Sequence, residues 1–220
     1  MELSDNEYVI QRPMQFAWNV VYQVMDSKGN PIFAGRQHAL GGSLDIFDVS
    51  GAVAASMHAK HLTLKPQYEL FDANKNKLGR AVKISHLVNL NSKFDLENAG
   101  GEVIAQAIGQ IFGYNYAIKD AKGEKDIAGI SKASPFNAAT AMDQQQGFGG
   151  LLGSIIAGAM NAYKLSIYDT SIDKLLLIVF TIAIDHIANN NNVSVGIGGM
   201  GSSTGGFGGV GGFGGPGVRL

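Results

Sequence analysis

Short apolar runs alternate with polar turns along most of the chain. Between residues 7 and 133 each run has period-two alternation or a brief continuous apolar stretch, and turn residues bound it, which predicts β-strands. One further run near residue 165 completes a set of twelve. The predicted strands lie near 7–11, 19–25, 31–36, 43–47, 53–58, 65–71, 78–84, 92–97, 103–107, 113–119, 126–132 and 162–168.

An Asp–turn–Gly phrase separates many of these strands. Copies begin at Asp26, Asp48, Asp72 and Asp120, a period of about 22 to 24 residues, with one blurred copy near 95–98. The Asp accepts backbone N–H bonds, and a Gly three residues later takes the positive φ that closes the turn. In the third copy Asn76 stands near the place of this Gly. Evenly spaced hairpins predict a closed antiparallel barrel, because closure removes exposed strand edges.

The most apolar part of the chain is predicted to be a helix inside this barrel. Residues 174–188 are apolar on all sides, their length favours a helix, and residues 189–192, all Asn, are expected to end it. A helix that is apolar all round must be enclosed, and a barrel of about twelve strands is wide enough to need a plug. We therefore predict a single barrel domain over residues 1–190 with a central helix at 172–188.

Two segments depart from the strand pattern. Residues 134–161 begin with a Ser-Pro break, continue as a polar stretch and then become apolar and rich in small residues, so they are interpreted as an insertion between the last two strands. Residues 191–220 are rich in Gly. Such a tail cannot offset the entropy cost of ordering its backbone, and we expect it to be disordered.

Composition narrows the range of functions. The net charge of −1 argues against a polycation that binds nucleic acid. The absence of cysteine excludes a disulfide framework, a Cys-ligated metal and a thiol nucleophile. The first seven residues are acidic and lack an apolar stretch, so we expect no secretory signal and a cytoplasmic location.

No arrangement of residues predicts catalysis. Paired carboxylates, a nucleophile beside a base, and metal-ligand spacing are missing, so we expect no enzyme activity, no cofactor and no metal site. His58 and His61 are three apart, which on a strand puts them on opposite faces. Asp185 and His186 adjoin on the predicted helix, and we expect Asp185 to bond turn or rim backbone rather than act as a base.

The order of elements resembles the LURP-one-related family. The resemblance rests on the repeated hairpins and on these segments: Tyr8–Gln11, Leu62–Leu70, Tyr163–Ile167 and Leu175–Asp185. This family is grouped with the tubby-like C-terminal and phospholipid scramblase superfamily. It implies a twelve-stranded barrel around a hydrophobic C-terminal helix, and binding of membrane lipid as the function to test. The chain lacks the cysteine-rich stretch and the acidic calcium-loop segment of eukaryotic scramblases.

Six basic residues on or beside the middle strands are candidates for binding an anionic lipid head group. Cations on one face of a barrel could hold a phosphorylated head group through charge-assisted hydrogen bonds. Cations scattered over the barrel would instead form an ordinary hydrated surface with no binding role. The candidates are Arg36, Lys60, Lys65, Arg80, Lys83 and Lys93.

The insertion supplies a second candidate contact. Leu151, Leu152, Ile155 and Ile156 lie in its apolar part, which is too short to span a bilayer. They could dip into one leaflet, contact a protein partner or a second copy, or cover one mouth of the barrel.

The leading prediction is a non-enzymatic module that binds membrane phospholipid, peripheral to the membrane, with no nucleic-acid partner. Two alternatives stay open: a phospholipid scramblase, and a structural or protein-interaction module that assembles through the insertion or the Gly-rich tail. A lipid binder should gather its basic residues together. An assembly module should show an exposed apolar patch near the insertion.

Overall fold

The computed structural model is a closed barrel of twelve antiparallel strands around one helix. It describes residues 3–12, 20–38, 42–60, 63, 65–84, 91–110, 115–133 and 161–196. Every strand pairs with its neighbours in sequence, and β1 closes the barrel on β12. The strands are β1 (Glu7–Arg12), β2 (Val20–Met25), β3 (Pro31–Gln37), β4 (Ser43–Asp48), β5 (Val53–Ala59), β6 (Gln67–Asp72), β7 (Lys77–Lys83), β8 (Asn91–Asn98), β9 (Val103–Gln110), β10 (Asn115–Asp120), β11 (Asp126–Lys132) and β12 (Asn161–Ile167).

Alternating side chains build the core, as the sequence pattern predicts. On β1, Tyr8 and Ile10 are buried, and on β4, Leu44 and Ile46 are buried. These positions face inward because successive side chains of a strand point to opposite faces. Their apolar surfaces meet the central helix rather than a second sheet. The fold class and the twelve strands are therefore confirmed.

Five tight turns lie at the same mouth of the barrel. They join β2 to β3, β4 to β5, β6 to β7, β8 to β9 and β10 to β11, and we call this end the turn mouth. Each predicted Asp accepts backbone N–H bonds: Asp48 Oδ1, for example, accepts from Ser50 at 2.9 Å and Ala52 at 3.1 Å. The blurred copy is the Asn98 turn, in which Asn98 Oδ1 accepts the N–H of Glu102 at 3.0 Å.

The residue three places after each Asp or Asn has a positive φ. It is a Gly at positions 29, 51, 101 and 123. In the third turn the expectation for Asn76 was wrong, because Lys75 takes this conformation, with φ at 63°. A side chain with a Cβ pays a steric penalty in this region, and Gly does not. The third turn is therefore the strained member of the set.

The helix of the described residues, α1 (Lys174–Gly196), fills the barrel. Asp173 caps it, since Asp173 Oδ1 accepts the N–H of Leu176 at 2.9 Å. At the turn mouth Lys174 Nζ donates to the carbonyl oxygens of Leu3 at 2.9 Å and Asp5 at 2.8 Å. The helix then runs to the opposite mouth, with Leu177, Val179 and Phe180 fully buried among the strands.

The helix ends later than the sequence suggests. It continues through residues 189–192 to Gly196, although these Asn residues were expected to end it at 188. Asn is only mildly unfavourable within a helix, and each added residue gains one backbone hydrogen bond. Residues 191–196, which were assigned to the tail, therefore belong to the helix.

Two predicted segments lie largely outside the described residues. The 134–161 insertion is described only at Asn161, which is the first residue of β12. Its candidate contact residues Leu151, Leu152, Ile155 and Ile156 are outside, as is the tail from residue 197 onward. The insertion nevertheless leaves β11 and enters β12 at the mouth opposite the tight turns, because both strand ends lie there.

Candidate functional site

A buried carboxylate joins the helix to the barrel wall. Asp185 lies on α1 with only 4% of its surface exposed. The Tyr22 hydroxyl donates to its Oδ2 at 2.5 Å, and the Tyr163 hydroxyl donates to its Oδ1. The expectation that Asp185 bonds rim backbone was thus wrong. A carboxylate in a low-dielectric interior needs strong donors, and two tyrosines from β2 and β12 supply them.

Arg12 connects this carboxylate to the mouth. It is the last residue of β1, and its Nε lies 2.9 Å from Asp185 Oδ2. Its Nη2 donates to the Tyr22 hydroxyl at 2.9 Å, and its side chain is 29% exposed. We call Arg12, Tyr22, Tyr163 and Asp185 the polar lock. One charged pair and two tyrosines fix the register of the helix inside the barrel.

His186 makes a second polar contact beside the lock. Its Nδ1 lies 2.6 Å from the Tyr68 hydroxyl of β6, and the two rings meet edge to face with centroids 5.4 Å apart. The Tyr22 ring lies on another side, with its centroid 6.3 Å away. The imidazole is 3% exposed. Neighbouring helix residues are therefore held from opposite walls of the barrel.

Burial sets the protonation of these groups. The pKa of His186 is lowered to about 4, mainly by burial and also by charge repulsion from Arg12, while Asp185 opposes both. Burial also raises the pKa of Tyr22 well above its ordinary value, with the Asp185 charge as the next cause. At neutral pH the interior thus contains a neutral imidazole and neutral tyrosines around one Arg–carboxylate pair.

Among the described residues, the interior beside strands β10 to β12 leaves little space for a ligand. The gap between α1 and strands β10 to β12 has a volume of about 10 Å³ and is lined by Tyr116, Tyr163, Ile184 and Asp185, among others. That volume admits roughly one water molecule. A small-molecule site within this part of the barrel would need the helix to move.

Four of the six predicted basic residues gather on adjacent strands at one mouth. Lys60 follows β5, Lys65 precedes β6, Lys83 ends β7 and Lys93 lies near the start of β8. Backbone bonds tie these positions together: Lys60 N–H donates to Gln67 at 3.1 Å, Lys83 N–H donates to Pro66 at 3.0 Å, and Ile84 N–H donates to Lys93 at 2.8 Å. We call this group, Lys60, Lys65, Lys83 and Lys93, the basic mouth.

The four lysines differ in their partners. Lys60 Nζ lies 3.3 Å from Glu69, and Lys93 Nζ lies 3.9 Å from Asp95. The ion pairs among the described residues include neither Lys65 nor Lys83, although Lys65 is close enough to Asp95 for their charges to interact. Lys83 ends β7 on the same face as buried Ala81, two residues earlier, and burial lowers its pKa. Lys83 is therefore half-buried at the inner rim.

The other two predicted residues are not part of this group. Arg80 is in the middle of β7, where its Nε donates to Glu97 Oε2 at 2.9 Å. Arg36 is exposed near the end of β3, which lies at the same mouth but two strands away from β5, and its guanidinium carbon is 4.9 Å from the centroid of the Phe47 ring. Five of the six residues thus lie at one mouth, and four of them are on adjacent strands.

Charge differs between the two ends of the barrel. The turn mouth carries the partly exposed carboxylates of Asp48, Asp72 and Asp120, whose pKa values are held low by hydrogen bonds from Ser50, Asn76 and the Glu124 N–H, respectively. Exposed lysines, Lys28, Lys75, Lys122 and Lys125, lie in the same turns. The opposite end carries the basic mouth together with Arg12, Arg36 and Lys132. An anion approaching the barrel is therefore attracted to this end, where the cations are not interleaved with turn carboxylates.

Comparison with known proteins gives the family. The model of the LURP-one-related family matches residues 7–185, which covers more than half of the chain. The chain belongs to the LURP-one-related family. The matched range begins at the first residue of β1 and ends at Asp185 of the polar lock. A comparison with curated proteins gives no match.

A solved structure shares the fold of this LURP-one-related chain. It is the X-ray structure of a protein from Arabidopsis thaliana, with a TM-score of 0.53 and 10% sequence identity. The alignment covers 84% of this chain and 93% of that chain. At this identity the likeness shows the fold alone.

Two further findings concern metal binding and membrane spans. Within the described ranges, no group of three or more His, Asp or Glu side chains is arranged to hold a metal ion. In the same part of the chain, no helix has the length and apolar character needed to cross a bilayer.

Sequence reasoning missed the polar lock. It noted Asp185 and His186 but could not find their partners, since Tyr22 and Tyr68 lie 163 and 118 residues away. One signal was available: two ionisable residues inside an otherwise apolar, enclosed helix must find hydrogen-bond partners. Tyrosines and an arginine at inward positions near strand ends were the donors to search for.

Proposed function

We propose that this protein is a non-catalytic module that binds anionic phospholipid head groups at the basic mouth. The observation that carries the proposal is the clustering of Lys60, Lys65, Lys83 and Lys93 on four adjacent strands, at the end opposite the acidic turns. A phosphate bridging several ammonium groups gains charge-assisted hydrogen bonds. Each lysine near an anionic surface contributes about 1 kcal/mol to membrane attraction.

The partners of these lysines support a binding role over a purely structural one. Lys65 is exposed and Lys83 is half-buried, and the ion pairs of the described residues include neither of them. Desolvating an ammonium without a carboxylate costs free energy that a bound phosphate would offset. Lys60 and Lys93 can turn toward the same anion, because their pairs with Glu69 and Asp95 are long and partly exposed.

The alternative of assembly through an exposed apolar surface has less support. The large apolar side chains exposed among the described residues are Val49, Val53, Ile108 and Tyr168. Val49 lies in the β4–β5 turn and Val53 begins β5, so both are at the turn mouth, and Ile108 lies on β9. Tyr168 directly follows β12 and lies against Gly129 of β11. Among the described residues it is therefore a single exposed ring, at the turn-mouth end of β12, and not a patch at the mouth where the insertion leaves and returns to the barrel.

Charge-removing variants at the two ends test the proposal. Lys65→Gln with Lys83→Gln should weaken binding to anionic vesicles by about 25-fold, since each lost lysine costs about fivefold. Lys28→Gln with Lys122→Gln removes the same charge from exposed positions at the turn mouth and should leave binding within about twofold. Equal losses in both double variants would show that net charge, and no particular mouth, governs binding.

A further inference from the structure

The two halves of the central helix are held by different kinds of interaction. From Leu176 to Ile184 the buried helix residues are apolar, apart from Thr181, which bonds its own helix through the carbonyl of Leu177 at 2.8 Å. The next turn contains Asp185 and His186, both buried and both bonded to the barrel. Apolar packing does not respond to pH, whereas bonds to ionisable groups do. The half of the helix near the basic mouth is therefore the pH-sensitive half.

We propose that His186, beside the polar lock, is an acid-sensitive latch whose protonation releases the mouth half of the helix while the barrel stays closed. In the imidazolium both ring nitrogens are donors, so after protonation the Tyr68 hydroxyl can only accept the bond from Nδ1. It also puts a positive charge in an interior that already contains the Arg12 guanidinium. The turn that carries His186 lies next to a mouth, so it reaches water without opening any strand pair.

Of the two charged groups that act on His186, Arg12 opposes its protonation and Asp185 favours it. Asp185 would favour the charged form, but its oxygens already accept from Tyr22, Tyr163 and Arg12. The charged group that acts on His186 from the barrel wall is the Arg12 guanidinium of β1, which is cationic. The titratable neutral groups are the tyrosines of β2, β6, β10 and β12: Tyr22, Tyr68, Tyr116 and Tyr163.

Release would change the surface at the basic mouth. Ile184, Ile187 and Ala188 are each at most 5% exposed in the closed state. They lie on the turns that flank His186 and would become accessible when this part of the helix moves. Acid would then add an apolar helical surface beside the lysines. This outcome does not depend on lipid binding, because it follows from the interior contacts alone.

Hydrogen exchange of the full chain at pH 6.0 and 4.5, corrected for intrinsic rates, tests the latch. Peptides covering residues 182–188 should lose protection about 20-fold, since the open population rises by somewhat less than tenfold per pH unit in this window. Peptides covering residues 174–181 and the strands should keep theirs. Unchanged protection at 182–188, or equal loss in the strands, would overturn the proposal.

Two histidine variants and one direct titration identify the responsible group. His186→Gln cannot titrate and should abolish the pH response, whereas His58→Gln, at an exposed position on β5, should preserve it. A response in His186→Gln equal to that of the wild type would show that another group is responsible. If His186→Gln does not fold, the imidazole of His186 in the wild-type chain should titrate in step with the loss of protection, and titration without that loss would contradict the latch.

Discussion

The Tyr22 hydroxyl donates a 2.5 Å hydrogen bond to the Asp185 carboxylate across 163 residues of sequence. This bond joins β2 to the buried turn of α1 that is nearest the basic mouth. Apolar packing alone would let the helix slide along the barrel axis, so this specific contact sets how deep the helix lies in the barrel. The same carboxylate holds Arg12 at the rim.

Removing a donor to Asp185 should destabilise the whole fold. Tyr22→Phe and Tyr163→Phe should each lower the free energy of unfolding by about 2 kcal/mol, because each leaves a buried carboxylate with one strong bond fewer. Denaturant unfolding followed by tryptophan fluorescence or circular dichroism measures the change. Tyr168→Phe is the matched control: its side chain is 65% exposed, and its effect should stay within about 0.5 kcal/mol. Losses as small as the control would contradict a structural role for the lock.

Mild acid should weaken the fold through His186. Its pKa is about 4 in the folded state and about 6.5 in the unfolded state, so the unfolded chain binds more protons between these values. Stability is therefore complete above pH 6.5 and falls by up to about 3 kcal/mol as the pH drops to about 4. Thermal unfolding across this window should show the decline in the wild type and a flatter profile in His186→Gln. A steep decline in both would point to other groups.

The strained third turn offers a stabilising substitution. Lys75→Gly should raise the free energy of unfolding by about 0.5 to 1 kcal/mol, because Gly removes the steric penalty of positive φ at the cost of extra freedom in the unfolded chain. Gly51→Ala is the reciprocal test. The φ of Gly51 is 83°, and no atom lies within 4 Å of the added Cβ. The expected loss of about 1 kcal/mol in the free energy of unfolding therefore measures the strain of the backbone alone. The same sign for both variants would refute this account of the turns.

The helix cap should contribute a smaller amount. Asp173→Ala removes the acceptor for the N–H of Leu176 and should cost about 1 kcal/mol, whereas Asp173→Asn keeps an acceptor and should cost less. Denaturant titration of both variants measures the difference. Equal stability of the two would mean that the side-chain oxygen contributes nothing as a cap.

The barrel was predictable because its signals are local. The Asp turns recur at a fixed period, and strand alternation is visible within each short run. The helix end at Gly196 and the positive φ of Lys75 were missed, because local propensity is weak and the rest of the fold overrides it. The bonds of Asp185 were missed because they depend on which strands enclose the helix near the mouth. The grouping of Lys60, Lys65, Lys83 and Lys93 could have been predicted from the sequence. The order of the hairpins alone shows which strand ends lie at the same mouth of the barrel.

Binding of the purified protein to vesicles tests the central claim most directly. Co-sedimentation should be measured with graded fractions of anionic lipid in a neutral background, at low and high salt. The account predicts binding that grows with the anionic fraction and falls steeply with salt, because exposed ammonium groups are screened within about 10 Å at 0.1 M salt. Equal recovery on neutral and anionic vesicles, or no binding under any condition, would contradict it.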